Sequence, residues 1–309
     1  MTAPGRPTPG PTLGAPIVIP GPSADWSAVR TELDRHGAAV LCARQDDLRQ
    51  EEEEGGARLR ALLGHDWERY QELTHRRIRT RFAASRVLLK FAAAAALGVR
   101  PESVELGYGL GGRPCLRGYD GLHISLSHTD DLLLVGLATD GAIGVDAERG
   151  DRVLYGTGLV RHMCTPYEAE RVEAMPVAER NPAMLRLWTL KEAYSKAVGL
   201  GMLLGFTDFG FTPDRPPTDV LRPDGTPGTV GAWGFHTLSY AGRYTLGVAV
   251  GDDGFGRTTD LAAATALDPG IVDALLAAQG EEERESLARR RGWPPPGTGE
   301  ISCRPLGRP

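Results

Sequence analysis

Apolar and polar positions alternate along this chain with two different periods. The stretch "RRIRTRFAASRVLLKFAAAAALGV" follows the helical period, which offers Phe82, Val87, Leu89 and Leu97 for packing and places Gly98 near the helix end. Strand and turn signals follow in "ESVELGYGLGGRPCLRG" and "LHISLSHTDDLLLVGLATDGAIGVDAE". Asp140-Gly141 separates two apolar runs there, which predicts a β-hairpin. A helical stretch is expected from about Thr165 to Val198, then strands in "FTDFGFTP", "VGAWGFHTL" and "RYTLGVAVGD". "DLLLVGLATDG" and "RYTLGVAVGDDG" echo one another, each a short apolar strand ending in Asp and Gly. The echo suggests two related lobes, residues 23–140 and 141–251. Residues 1–22, rich in Pro and Gly, are expected to be a disordered lead-in. Residues 252–309 read as an extension of unknown role with helical pieces, "IVDALLAAQG" and "EEERESLARRRGW".

Composition narrows the classes. With 309 residues, 41% hydrophobic and 24% charged, the chain is ordinary globular material for one large or two small domains. A net charge of -5 lacks the basic footprint of a nucleic-acid binder. Cys42, Cys115, Cys164 and Cys303 are far apart and form no CxxC, so neither a disulfide framework nor a zinc cluster is expected. The first residues lack the basic start and apolar core expected of a signal peptide, and no apolar run reaches the length of a membrane span. The expectation is a cytoplasmic protein without membrane attachment.

Four segments carry candidate chemistry. In "AIGVDAERG", strand alternation puts Gly144, Asp146 and Glu148 on one face. Such a pair is either a solvated strand face or an oxygen donor set for a hard divalent cation, with Gly144 leaving room for something to approach. In "LWTLKEAYSKAVGLG", Leu187, Leu190, Tyr194, Ala197 and Val198 form an apolar helix face. Trp188, Glu192 and Lys196 follow one another at i+4 on another face, with Lys191 and Ser195 beside them. This is either an ordinary Glu–Lys surface pair or a third carboxylate flanked by two lysines that act on phosphate. In "GGRPCLRGYDGLHISLSHT", Gly111 and Gly112 precede a turn at Arg113-Pro114, and Ser127 and His128 close a strand where they can donate to phosphate oxygens. In "HRRIRTRFAASR", Arg76, Arg77, Arg79, Arg81 and Arg86 occupy more than one helix face, so only one or two can meet a single anion.

In this order, GRP, SLSH, GVDAE and WTLKEAYSK resemble the Sfp-type 4′-phosphopantetheinyl transferases. Those proteins carry G-K/R-P, N/S-x-S-H, G-I/V-D-x-E and W-x-x-K-E-A/S-x-x-K. The likeness runs over about residues 70 to 250. It implies an α+β fold of two pseudo-symmetric lobes, each a small, mainly antiparallel sheet packed with helices, with the active site at the lobe interface. It implies coenzyme A and an apo acyl, polyketide or peptidyl carrier protein as substrates, and a monomer. The carrier serine would attack the β-phosphorus of coenzyme A, and adenosine 3′,5′-bisphosphate would leave.

By the same resemblance, Asp146, Glu148 and Glu192 would hold Mg²⁺, with Mn²⁺ as the alternative, and Glu192 would serve as base. Lys196 and Lys191 would neutralise phosphate charge. Gly112, Arg113, Pro114, Ser127 and His128, with Arg77 and Arg81, would contact coenzyme A. Ala147 stands where a larger apolar residue is usual, and Arg113 where Lys is common. Arg149, Arg152, Arg161 and His162 form either a carrier-docking surface or an ordinary exposed loop. The competing readings are a metal-dependent nucleotide phosphohydrolase and a catalytically silent coenzyme A-binding protein.

Overall fold

The computed structural model describes residues 12–48, 52–109, 113–139, 141–201, 204–228 and 232–252. The first part of the chain runs β1 (Ile17–Val18), α1 (Ser27–His36), β2 (Ala38–Arg44), α2 (Glu52–Leu63), α3 (Asp66–Glu72), α4 (Arg76–Leu97), β3 (Leu106–Tyr108), β4 (Pro114–Leu116), β5 (His123–Thr129) and β6 (Leu132–Ala138). It continues with β7 (Ala142–Arg149), α5 (Val160–Met163), α6 (Pro166–Glu173), α7 (Val177–Val198), β8 (Ala232–Tyr240) and β9 (Tyr244–Asp252).

Every residue of β6 is buried, so this strand needs cover on both faces. It lies inside a sheet ordered β1-β2-β6-β5, in which only the β1–β2 pair is parallel. One face, with Leu41, Leu133, Val135 and Leu137, packs on α1 and α4. Ala84, Ala92, Ala93 and Ala94 keep α4 close to that face. The other face, with Val40, Leu132 and Leu134, meets Ile143, Val145, Leu246 and Val248 of a second, antiparallel sheet ordered β7-β9-β8. The outer face of that second sheet is covered by α7, with Tyr194 set among Phe209, Phe211, Trp233 and Phe235. The layers are therefore helix, sheet, sheet, helix, and each fully buried Leu or Val is worth about 1.5–3 kcal/mol.

Small residues set the spacing at two levels. A Cβ on Gly136 of β6 would stand 2.6 Å from Val145 Cγ1, so β7 lies flat on β6. A Cβ on Gly144 would fall onto the Ala193 carbonyl and 2.6 Å from Ala197 N, and one on Gly247 would be 2.5 Å from the Thr189 carbonyl carbon. Gly144 and Gly247 lie on adjacent paired strands, so the α7 backbone rests directly on the sheet backbone. What approaches Gly144 is this helix.

Several expectations are corrected. The strands flanking Asp140-Gly141 form no hairpin, because β2 and β5 already occupy both edges of β6. The chain instead crosses to the other sheet at Gly141, whose φ is 125°. The helical stretch from Thr165 is two helices, broken where Pro176 caps α7. "FTDFGFTP" forms no strand beyond an isolated bridge between Gly210 and Leu221, and its Phe side chains fill the α7 core instead. Residues 12–22 are not a disordered lead-in, since β1 pairs with β2 and Ile19 is buried. The echoed segments form β6 and β9, the middle strand of the second sheet being β9, while the two sheets differ in strand number. The helical pieces expected after 252 lie outside the described residues. Among the described residues, no helix is long and apolar enough to cross a membrane.

Gly144→Ala should destabilise the protein by about 3 kcal/mol, the upper end for overpacking, because the clash is with helix backbone. A urea midpoint unchanged from wild type would contradict the direct backbone contact.

Candidate active site

Strand β5 ends its sheet beside β7, and two serines join them. Val145 N donates to Ser125 Oγ at 3.1 Å, and Ser127 Oγ donates to Asp146 Oδ1 at 2.8 Å. From the helix side, Lys196 Nζ donates to Asp146 Oδ1 at 2.6 Å, Val145 O at 3.2 Å and Ser127 Oγ at 3.2 Å. Asp146 is buried, and its second oxygen, Oδ2, has no protein partner. Trp188, Glu192 and Lys196 form the half-buried stripe of a helix otherwise almost enclosed over this stretch. They line a cavity of about 470 Å³ together with Asp146, Glu148, Ser127, His128 and Arg81. A second cavity of about 450 Å³, lined by Arg113, Pro114 and Ser195, shares Leu126, Glu192 and Lys196 with the first. The two are one cleft with Glu192 and Lys196 at its waist.

The electrostatics are those of crowded acids. Burial raises the Glu192 pKa, and the neighbouring Asp146 and Glu148 raise it further against the pull of Lys196 and Arg152. Burial likewise raises Glu148, with Asp146 adding to the rise while Arg152 and the Trp188 indole oppose it. His128 is held below the ordinary imidazole value by desolvation at the cleft wall, then by Arg81 and Lys196. It is therefore neutral near pH 7 and able to donate one ring N–H.

The fold brings Asp146, Glu148, Glu192, Lys196, Ser127, His128 and Arg81 to one cavity, and Arg113 and Pro114 to its continuation. Gly112 lies outside the described residues. Arg77 lines neither cavity; its guanidinium reaches Asp130, in the β5–β6 turn, at 3.3 Å.

Lys191 is corrected outright, being wholly buried and facing away from the cleft. Its ammonium sits 2.6 Å from Glu168 Oε2 and donates to the carbonyls of Met163 at 2.8 Å, Phe206 at 2.5 Å and Phe209 at 2.7 Å. Burial lowers its pKa from the ordinary lysine value, and Glu168 opposes that. Glu168 also closes the Thr165 capping box of α6 and accepts from Phe211 N at 2.8 Å, so one ion pair ties three segments to α7.

Sequence reasoning passed over Arg69 and Ser125 as site residues and left Arg86 unresolved among the arginines of α4. Arg69 and Arg86 line the first cavity, and Arg86 is tied to Asp66 at 2.9 Å and stacks on Phe82. The i+4 spacing from Trp188 to Glu192 was the signal for the tryptophan; Arg86 was one of five arginines on α4 that the sequence alone does not tell apart, and nothing local marked Arg69.

For a hard cation, the donor set fits. Three carboxylates face one cavity, and the buried, unpartnered Asp146 Oδ2 is the kind of orphan a cation would satisfy. Among the described residues no group of three His, Cys, Asp or Glu side chains stands close enough to hold a metal ion by itself.

Residues 142–249, which run from β7 through α7 to β9, match the family model of the 4′-phosphopantetheinyl transferase superfamily. This part of the chain is similar to that superfamily, and the chain spans about 60% of the length of one relative of that name. Over 142 residues the chain is 33% identical to 4′-phosphopantetheinyl transferase HetI of Nostoc sp., an alignment covering 45% of this chain and 60% of that protein. It is 28% identical over 171 residues to a putative 4′-phosphopantetheinyl transferase of Synechocystis sp., covering 52% and 68%. A 4′-phosphopantetheinyl transferase of Bacillus subtilis is 24% identical over 167 residues, covering 53% and 73%. The superfamily match thus contains the acid pair, Glu192 and Lys196, but begins after Ser127, His128 and Arg113.

Two outcomes follow from this geometry. Lys191→Met should cost about 3–5 kcal/mol in a thermal or urea melt, since it strands Glu168 as a buried charge. Adding Glu168→Gln to it should recover part of the loss. For Glu192, a carboxyl with a raised folded pKa binds its proton more tightly when folded. Stability is therefore lost as pH rises from the ordinary value of 4.5 through the raised one. Metal-free Glu192→Gln should melt above wild type at neutral pH, with the gap closing on acidification below 4.5. A gap independent of pH would contradict the assigned burial.

Proposed function

We propose that the protein transfers the 4′-phosphopantetheine arm of coenzyme A to a serine of an apo carrier protein and releases adenosine 3′,5′-bisphosphate. The observation that carries this reading is the meeting of Glu192 and Lys196 of α7 with Asp146 of β7 in one cleft. The serine Oγ attacks the β-phosphorus, the bond to the bridging oxygen breaks, and the departing bisphosphate takes the electron pair. Such a displacement asks for alignment and charge neutralisation more than for covalent help.

Each group has a task its surroundings suit. Glu192, with its raised pKa, takes the serine proton. Lys196, held by Asp146 and Ser127, offers positive charge at the cleft waist, where the pyrophosphate would lie. Neutral His128 and Ser127 donate to phosphate oxygens, and Arg81 adds charge beyond them. Arg113 and Pro114 form the wall of the continuation, where the planar guanidinium suits a flat ring. Asp146 through Oδ2, with Glu192 and Glu148, would hold Mg²⁺ or Mn²⁺, which when bound neutralises pyrophosphate charge. The carrier is of the acyl, polyketide or peptidyl class, and the protein works as a cytoplasmic monomer.

The test is mass spectrometry of a panel of apo carrier proteins incubated with coenzyme A and Mg²⁺. The expected result is a phosphopantetheine mass gain on the carrier serine. Glu192→Gln should slow that gain by about 10²–10⁴-fold. Asp146→Asn should abolish it with the fold intact by circular dichroism. Hydrolysis of coenzyme A without any carrier gain would replace this reading with a phosphohydrolase.

A further inference from the structure

A separate cavity of about 200 Å³ shares no lining residue with the cleft. It lies between α7, β8 and residues 212–217. Successive helical residues point about 100° apart, which puts Arg186 and Leu190 on the flank of α7 turned away from Glu192 and Lys196. The wall of this cavity is set before anything binds. Pro213, Pro216 and Pro217 restrict the backbone of the segment. Phe211 N, just before it, donates to Glu168 Oε1 at 2.8 Å, and Asp214 within it is paired with Arg171. From α7, Arg186 Nη2 donates to Pro213 O at 3.1 Å. A wall fixed in this way lowers the ordering cost of binding.

A guanidinium carries five N–H donors, and the bond to Pro213 is the side-chain hydrogen bond Arg186 makes among the described residues. No carboxylate among those residues stands within ion-pair distance of it. Burial lowers its pKa from the ordinary arginine value, with Glu179 opposing, and the group stays charged. At the same cavity Thr212 is buried and Thr237 half-buried, and neither hydroxyl has a hydrogen-bond partner among the described residues. Asp214 at the wall is balanced by Arg171, and Arg215 at the exposed rim adds positive charge. A half-buried, unpaired guanidinium beside two unused hydroxyls is a donor set for an oxygen anion. We propose that this cavity is a second binding site, which takes the carboxylate or phosphate group of a small molecule. The guanidinium donates parallel N–H bonds to such a group, and the threonines donate to its remaining lone pairs. Leu187 and Leu190 face its carbon part. The site stands apart from the transfer reaction and remains if that reading of the cleft fails.

The test is titration of the full chain with inorganic phosphate and, separately, with acetate, followed by ¹H–¹⁵N nuclear magnetic resonance. Saturable shifts are expected at Thr212 and Thr237 with one probe or both, separate from any at Ser127 and His128 in the cleft. Which probe binds tells a phosphate ligand from a carboxylate one. Arg186→Gln should weaken binding at Thr212 and Thr237 about tenfold, because the charged donor is lost. Thr212→Val should weaken it about fivefold, and serves if Arg186→Gln fails to fold. Neither variant should alter the response of Ser127 and His128. Shifts confined to the cleft, no saturable shift with either probe, or binding at Thr212 and Thr237 that both variants leave intact overturns the site.

Discussion

Helix α7 rests on β7 and β9 with no side chain between the two backbones at Gly144 and Gly247. Most of the cleft geometry descends from that contact. A helix ordinarily stands about 10 Å from a layer it packs on, and side chains fill the gap. Here the two glycines remove the filling, so residues on the flank of the helix and residues on the strand reach each other with short side-chain spans. Lys196 meets Asp146 within hydrogen-bond distance for this reason, and Glu192 is brought among the other acids. A larger residue at either glycine would lift the helix and open the ionic contacts together.

The junction of the two sheets supplies the other wall. Ser125 and Ser127 cross from β5 to β7 and replace the backbone ladder that would join strands of one sheet. The β5–β6 turn reinforces the junction from outside: Asp130 accepts from Arg77 and Arg243, and Asp131 from Arg44 at 2.6 Å and from Tyr244. Exposed pairs of this kind are each worth little. Together they bind α4, β2 and β9 to the strand end that presents Ser127 and His128.

Much of the site was legible in the sequence, because its central members lie within single elements of known period. Strand alternation placed Asp146 with Glu148, and helical spacing placed Glu192 with Lys196 and Trp188. Lys191 escaped because helix phase says which way a residue points and not what awaits it; its partner Glu168 caps a different helix. Arg69 escaped for a similar reason, since it meets the cleft through a tertiary contact with Phe82, and Arg86 is told from the other arginines of α4 only by its contact with Asp66. The fold itself was misread where local pattern is blind to neighbours. The Asp140-Gly141 signal suits a hairpin, but whether β6 has a free edge is decided by β2, about a hundred residues earlier. The aromatic run at Phe206 to Phe211 likewise follows the needs of the core around Tyr194 rather than strand pairing.

Adjacent residues on an α-helix point about 100° apart, so Lys191 faces the interior while Glu192 faces the cleft. The ammonium of Lys191 is held by four oxygens from three directions along the chain, and this makes it a rotational stop for α7. Any twist of the helix about its own axis that re-aimed Glu192 would tear a buried cation from its cage. The acid is therefore delivered at a fixed bearing.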